Sequence, residues 1–182
     1  LLSVTTIPNS IGSIKTRKVA ILVADGLDSA SLKPIREAIE AAGARCKVVG
    51  ARLGSVASAS KRQIDVDATF ATMPSVMFDA VLVPAGKEAA ATLGSNGEAV
   101  HFVQEAYKHC KAICTVGEGV GLLATLGIGA DVATPPAGVV VAATPANSLG
   151  DNTAAQAVAQ TVMAAIGKHR HWDRANLDAV PA

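Results

Sequence analysis

Residues Lys111–Ala124, KAICTVGEGVGLLA, decide the fold. The short apolar run Ala112–Val116 stops at Gly117, and a glycine-rich turn leads into a helical pattern. A strand that breaks through a tight turn into a helix is the elbow geometry that exposes a nucleophile above an α/β sheet. What stands at the tip of that elbow separates an enzyme from a scaffold.

The same alternation extends in both directions. Asp79–Gly86 (DAVLVPAG) reads as a buried strand ending at Pro84 and Gly86. A helix is predicted from about Asn96 to His109, with Val100, Val103 and Tyr107 on one side. Further back, Lys18–Ala24 (KVAILVA) is a continuous apolar run of strand length, the pattern of a strand covered on both faces. After the loop DGLDS, Ser29 or Ser31 is placed to cap a helix with apolar positions Leu32, Ile35, Ile39 and Ala42. Pro34 falls early in it, and Gly43 ends it. Arg45–Ala51 is a second strand; Ser55–Ser58 and Ile64–Phe70 are weaker segments fit for a hairpin or an edge excursion. Toward the carboxyl end, Gly138–Ala143 is the last strand. Asp151 or Asn152 caps a helix striped by Ala155, Val158, Ala159, Val162, Met163 and Ile166 and stopped at Gly167. Residues 1–17 read as a linker or arm, 18–172 as one domain and 173–182 as an irregular polar tail. The fold class is α/β, a doubly wound sandwich with a mostly parallel sheet.

Composition narrows the function. The chain of 182 residues is half hydrophobic but only 3% aromatic, which suits a sheet covered by small-residue helices. A net charge of +1 without any basic block argues against nucleic acid or an anionic membrane as partner. No apolar run reaches the roughly 18 residues of a membrane span. The chain starts at Leu1 without a signal-peptide pattern, and reads as a fragment whose compartment is therefore unread. Cys46, Cys110 and Cys114 show no metal-ligand spacing and read as buried free thiols.

Ligands of such folds sit beyond the carboxyl ends of the strands, here the loops Ala24–Ser31, Pro84–Ala90 and Val116–Gly121. The first carries Asp25 and Asp28, whose charge opposes phosphate and so a P-loop, a dinucleotide site or a flavin-phosphate cradle. Either acid is a candidate base; Asp28 equally suits a helix cap. The elbow carries Gly117, Gly119 and Gly121 with Glu118 between them, a pattern for a tight turn rather than an anion site. Cys114 is the candidate nucleophile by chemistry, but it lies inside the apolar run, away from the electropositive, accessible setting a reactive thiol needs. His169 and His171 are spaced for a metal pair, yet lie in what reads as a solvated tail.

RKVAILVADG, AAGA, VVGARLGSV, DATFATMPSVMFDAVLVPAG, EAYKHCKAIC and the terminal KHRHWDR…VPA together resemble the C-terminal domain of large-subunit catalases, from about Arg17 to Ala182. The arm Leu1–Lys15 resembles the connector leaving the catalase core. That domain is similar to the PfpI/ThiJ superfamily, which is flavodoxin-like and related to class I glutamine amidotransferases. Superfamily enzymes carry strand–Cys–x–Gly at the elbow. Counting back from Gly117 puts Thr115 in the nucleophile slot and Cys114 one place early, a step that turns a strand side chain to the other face. The slot for the acid of the first loop falls nearest Leu27, and the residue after the nucleophile, often His, is Val116.

The resemblance thus implies a domain without catalysis, metal or cofactor of its own. Hydrogen peroxide chemistry and haem belong to the preceding core: the family's proximal ligand is a Tyr with Arg four residues earlier, whereas Tyr107 has Val103 there. The implied partners are the catalase core and the other subunits of a homotetramer, together with unfolded client proteins. The implied roles are stabilisation, influence on access to the core, and molecular-chaperone-like activity. The rival readings are a PfpI-like thiol hydrolase or deglycase using Cys114 with Asp25 or Asp28, and a small-ligand flavodoxin-like binder.

Overall fold

The computed structural model describes residues 12–128, 134–142 and 152–174. Six strands form one parallel sheet in the order β5-β2-β1-β6-β7-β8. They are β1 (Lys18–Leu22), β2 (Arg45–Gly50), β5 (Ala68–Thr69), β6 (Ala80–Val83), β7 (Ala112–Val116) and β8 (Val139–Ala142). Strands β3 (Gly54–Ala57) and β4 (Gln63–Val66) pair antiparallel as a separate hairpin, after which β5 adds the edge strand beside β2. The weak segments are therefore both the hairpin and the edge excursion. Chain order reverses direction between β1 and β6, so the topological switch point lies there.

Helices α1 (Ser29–Ala41) and α5 (Asn152–Gly167) pack together on one face of the sheet. Helices α2 (Lys87–Ser95), α3 (Gly97–Lys108) and α4 (Val120–Thr125) cover the other. Between these layers β6 and β7 are buried along their whole length, which is why both read as unbroken apolar runs. Ile21, Leu22, Ile35, Ile39, Leu82, Ile113 and Ile166 fill the centre. The three phenylalanines of the chain form one cluster, Phe102 of α3 lying 5.9 Å from both Phe70 and Phe78. Few aromatics suffice because they sit together where α3 meets the edge of the sheet.

Several expectations are corrected. The cap of α1 is Asp28, whose carboxylate accepts the Ala30 N–H at 2.9 Å; Ser29 and Ser31 are already inside the helix. Pro34 lies beyond the first turn, and the Ala30 carbonyl it leaves unpaired is on an exposed residue, where water can reach it. Ala42 is the exposed C-cap rather than part of the core stripe. Helix α2 covers Lys87–Ser95, although Pro84–Ala90 was expected as loop. Its small residues and the Pro84–Gly86 break in front of it hid its short apolar stripe of Ala89, Ala90 and Leu93. Ala143, Asp151, the side chain of Asn152, the arm up to residue 11 and the tail beyond Arg174 lie outside the described residues.

The segment around His171 is not a solvated tail. His171 is buried, its N–H donates to the Cys110 carbonyl at 2.7 Å, and its ring Nε2 lies 3.0 Å from the Ala165 carbonyl. His169 faces another way, with Nε2 3.4 Å from Asp79 Oδ1. Arg174 donates from Nη1 to the Ala137 carbonyl at 2.7 Å and from Nη2 to the Lys111 carbonyl, with its guanidinium over the Tyr107 ring. These polar side chains close the amino-terminal end of β7 by satisfying carbonyls that the sheet leaves free. At the other end of the expected linker, Ile14 is buried in the core and the Thr16 N–H donates to the Gly43 carbonyl.

Two predictions follow from this packing. Gly86, at φ +129°, has its Cα against the next loop: a Cβ there would lie 2.5 Å from the Gly26 carbonyl oxygen. Gly86→Ala is expected to cost about 2–4 kcal/mol in urea unfolding, because both backbones would have to shift. Lys111 is 2% exposed, with Nζ donating to the Ser75 carbonyl at 2.7 Å, and burial lowers its pKa from 10.5 to about 8. Between those values the unfolded chain holds a proton that the folded one lacks, so stability rises with pH across that window, by at most about 1.4 kcal/mol per pH unit. Unfolding curves at about pH 8 and about pH 10 should show this rise in the wild type and lose it in Lys111→Met.

Candidate functional site

The three loops singled out in the sequence do meet, over the carboxyl ends of β1, β6 and β7. The chain leaves β1 into Asp25, whose Oδ1 accepts the Ala57 N–H of the hairpin at 2.8 Å, while Gly26 N–H donates to the Ala57 carbonyl. Leu27, in the slot expected to bring an acid, is fully buried. Asp28 donates its own N–H to the Ala85 carbonyl at 2.8 Å and spends its carboxylate on capping α1. The loop after β6 then lies directly on this backbone through Gly86. The crevice that similar sheets leave open at the switch point is filled here by main chain.

The elbow completes the closure. Val116 ends β7, and Gly117 turns the chain with φ +52° into a short 3-10 turn, Gly117–Gly119, that runs into α4. The residue at the strained strand-to-helix position, where a nucleophile elbow carries its reactive side chain, is thus Gly117, which has none. Thr115 is not at the tip. It lies two residues back inside β7, 1% exposed, with its hydroxyl 3.5 Å from the Val140 carbonyl of the neighbouring strand. The slot counted back from Gly117 thus lies within the strand, and the turn begins at the glycine itself. Glu118 reaches back to accept the Gly86 N–H on Oε2 at 3.2 Å.

Cys114 is 1% exposed within β7, and burial pushes its thiol up to about 12. Neither Asp25 nor Asp28 reaches it; both are held by backbone N–H groups elsewhere. A thiol that stays protonated and inaccessible is not the nucleophile of a hydrolase, so the geometry does not favour that reading.

What the site presents to solvent is carboxylate. Asp25, Glu88 and Glu118 are exposed, and Glu88 Oε2 would lie 2.7 Å from a Cβ on Gly26. Glu88 was invisible in the sequence because its helix was; its one signal is an acid in the first turn after a Pro–Ala–Gly break. Beside these acids opens a cleft of about 320 Å³, walled by Val23, Val56, Phe70 and Leu93 with Leu53 at its mouth. Among the described residues no group of three or more His, Cys, Asp or Glu could hold a metal ion, and no helix is long and apolar enough to cross a membrane. The one tyrosine, Tyr107, lies beneath the Arg174 guanidinium, 4.5 Å from its ring centroid.

The comparisons agree with this geometry. Residues 15–176 match the model of a family described as the C-terminal domain found in long catalases. Catalase HPII of Mycobacterium avium is 39% identical over 93% of this chain, and Catalase HPII of Pseudomonas putida 37% identical over 96%. The chain spans only 24% and 22% of those two proteins. Among solved structures, Drosophila melanogaster DJ-1beta matches with a TM-score of 0.69 at 14% identity, covering 82% of this chain and 91% of that one. A ThiJ/PfpI domain protein from Brachyspira murdochii matches with 0.67 at 18% identity, covering 80% and 95%. These two show the fold, flavodoxin-like and of the DJ-1/ThiJ/PfpI kind. With its family match over nearly the whole chain, the protein belongs to the C-terminal domains of long catalases.

Proposed function

We propose that this chain is a haem-free, non-catalytic module of a long catalase, whose preceding core performs hydrogen peroxide dismutation, and that the module stabilises the parent assembly. The observation that carries the proposal is the elbow: the turn is kept, but its tip is Gly117 and the crevice beneath is filled by Gly86 and Gly26. A position without a side chain supplies no nucleophile. The partners on this reading are the core and the other subunits of a homotetramer. Deleting the module from the full-length catalase should leave activity per haem unchanged and lower the temperature of half-inactivation by several degrees. An unchanged temperature would remove the stabilising role.

A molecular-chaperone-like capacity belongs to the same proposal. Leu53, 65% exposed at the cleft beside the acids, is the feature that would meet an unfolded client. The purified chain, in molar excess over a heat-aggregating client, should suppress light scattering, and Leu53→Ser should weaken that suppression. Scattering unchanged at every ratio would end this part of the reading.

The rival hydrolase is tested by thiol chemistry. In the native chain a thiol-specific reagent near pH 8 should leave Cys46, Cys110 and Cys114 unmodified, and all three should react once the chain is unfolded, since all are buried. Fast native labelling of Cys114 would reinstate the enzyme.

A further inference from the structure

Among the described residues three large apolar side chains are strongly exposed: Leu53, Val76 at 71% and Met77 at 47%. The last two are adjacent, on the 3-10 turn Ser75–Met77 that leads into β6. This turn is rigidly seated. Its Ser75 carbonyl accepts the buried Lys111 ammonium at 2.7 Å, Met77 N–H donates to the Pro74 carbonyl, and Phe78 N–H donates to Ser75. Beside it lies a notch of about 260 Å³, floored by Phe70, Pro74 and Phe102 and rimmed by the exposed Glu98 and His101. Exposed apolar side chains on a fixed support, next to an apolar notch with a polar rim, have the anatomy of an interface core.

The position of this knuckle names what covers it. Two residues past Met77, the Asp79 carboxylate accepts Arg17 Nη1 at 3.3 Å and the Lys18 N–H at 2.9 Å. The chain therefore passes beside the knuckle at Arg17, and its first described residue, Gly12, packed near Gly167, is five residues and at most about 17 Å of chain further back. By its family the domain is C-terminal, and it spans 22–24% of its long relatives, so the bulk of such a protein precedes this entry point. A segment tethered there meets the knuckle at an effective concentration near millimolar, at which a small patch is enough for docking.

We infer that the Val76–Met77 knuckle and its Phe70–Phe102 notch form the docking surface for the preceding catalase core of the same parent protein, which presents an apolar side chain to the notch and a basic group to Glu98. This rests on the reading of the chain as a long-catalase module and adds the face by which it is held.

The test uses the full-length catalase. Its three domain cysteines are buried, so a cysteine introduced by Val76→Cys can be labelled against a low background, with Lys33→Cys on exposed α1 as the reference. Labelling at position 76 should be at least about ten-fold slower than at 33 in the native assembly, as expected for a site from which an interface excludes solvent. Equal rates would overturn the inference. Hydroxyl-radical footprinting of Met77 in the unmodified enzyme gives the same answer without a variant: slow oxidation supports docking and fast oxidation refutes it. A photo-crosslinker at position 77 should join residues that precede Leu1; crosslinks to the same domain of another subunit would mean that a second copy is the occupant and overturn the assignment. A full-length protein without bound haem or peroxide disproportionation would refute the parent reading itself, whereas a haem-loaded enzyme with an open position 76 refutes only the docking face.

Discussion

Main chain packed on main chain at the switch point is the constraint on which the rest depends. Gly86 has no Cβ, so the loop after β6 lies against the Gly26 carbonyl and the Leu27 Cα, and Asp28 can donate its N–H to Ala85. Glu118 then takes the Gly86 N–H, which ties the elbow to the same point. Three loops that a ligand would hold apart thus hold one another. The carboxyl end of the sheet becomes a structural seam, and its acids remain outside as surface charge.

The amino-terminal end is organised by polar side chains instead. Asp79 gathers Arg17, the Lys18 N–H and His169; Lys111 holds the Ser75 carbonyl; Arg174 holds the Lys111 and Ala137 carbonyls and covers Tyr107. Burying the Lys111 ammonium costs free energy, which its lowered pKa records. The return is a fixed turn carrying Val76 and Met77, and a carboxyl-terminal segment strapped across β7. One end of the fold is closed on itself, while the other is built firmly and left apolar at its tip.

The buried strands were legible because a strand covered on both faces has no polar alternation to obscure it, and the Gly43 end of α1 and the Asn96–His109 helix were legible because caps and stripes are local. Helix α2 was not, since nine residues, six of them small, behind a Pro–Ala–Gly break carry little periodicity. Neither was the role of His171 and Arg174, because their partners are carbonyls, which every residue has and no pattern marks, nor that of His169, whose partner Asp79 is distant in sequence. At the site, the sequence pointed to an elbow and its three loops, but not to the residue at which the strand turns, since that is a matter of φ.

By itself the sequence determined a parallel α/β sandwich and the family, since these depend on local pattern and residue identity. Only the tertiary structure decided that Gly117 occupies the tip, that Cys114 and Thr115 are both sealed within β7, and that Glu88 stands over Gly26. Those facts depend on which backbone atoms of distant segments come within contact distance, and distance across a fold is set by packing, not by spacing along the chain.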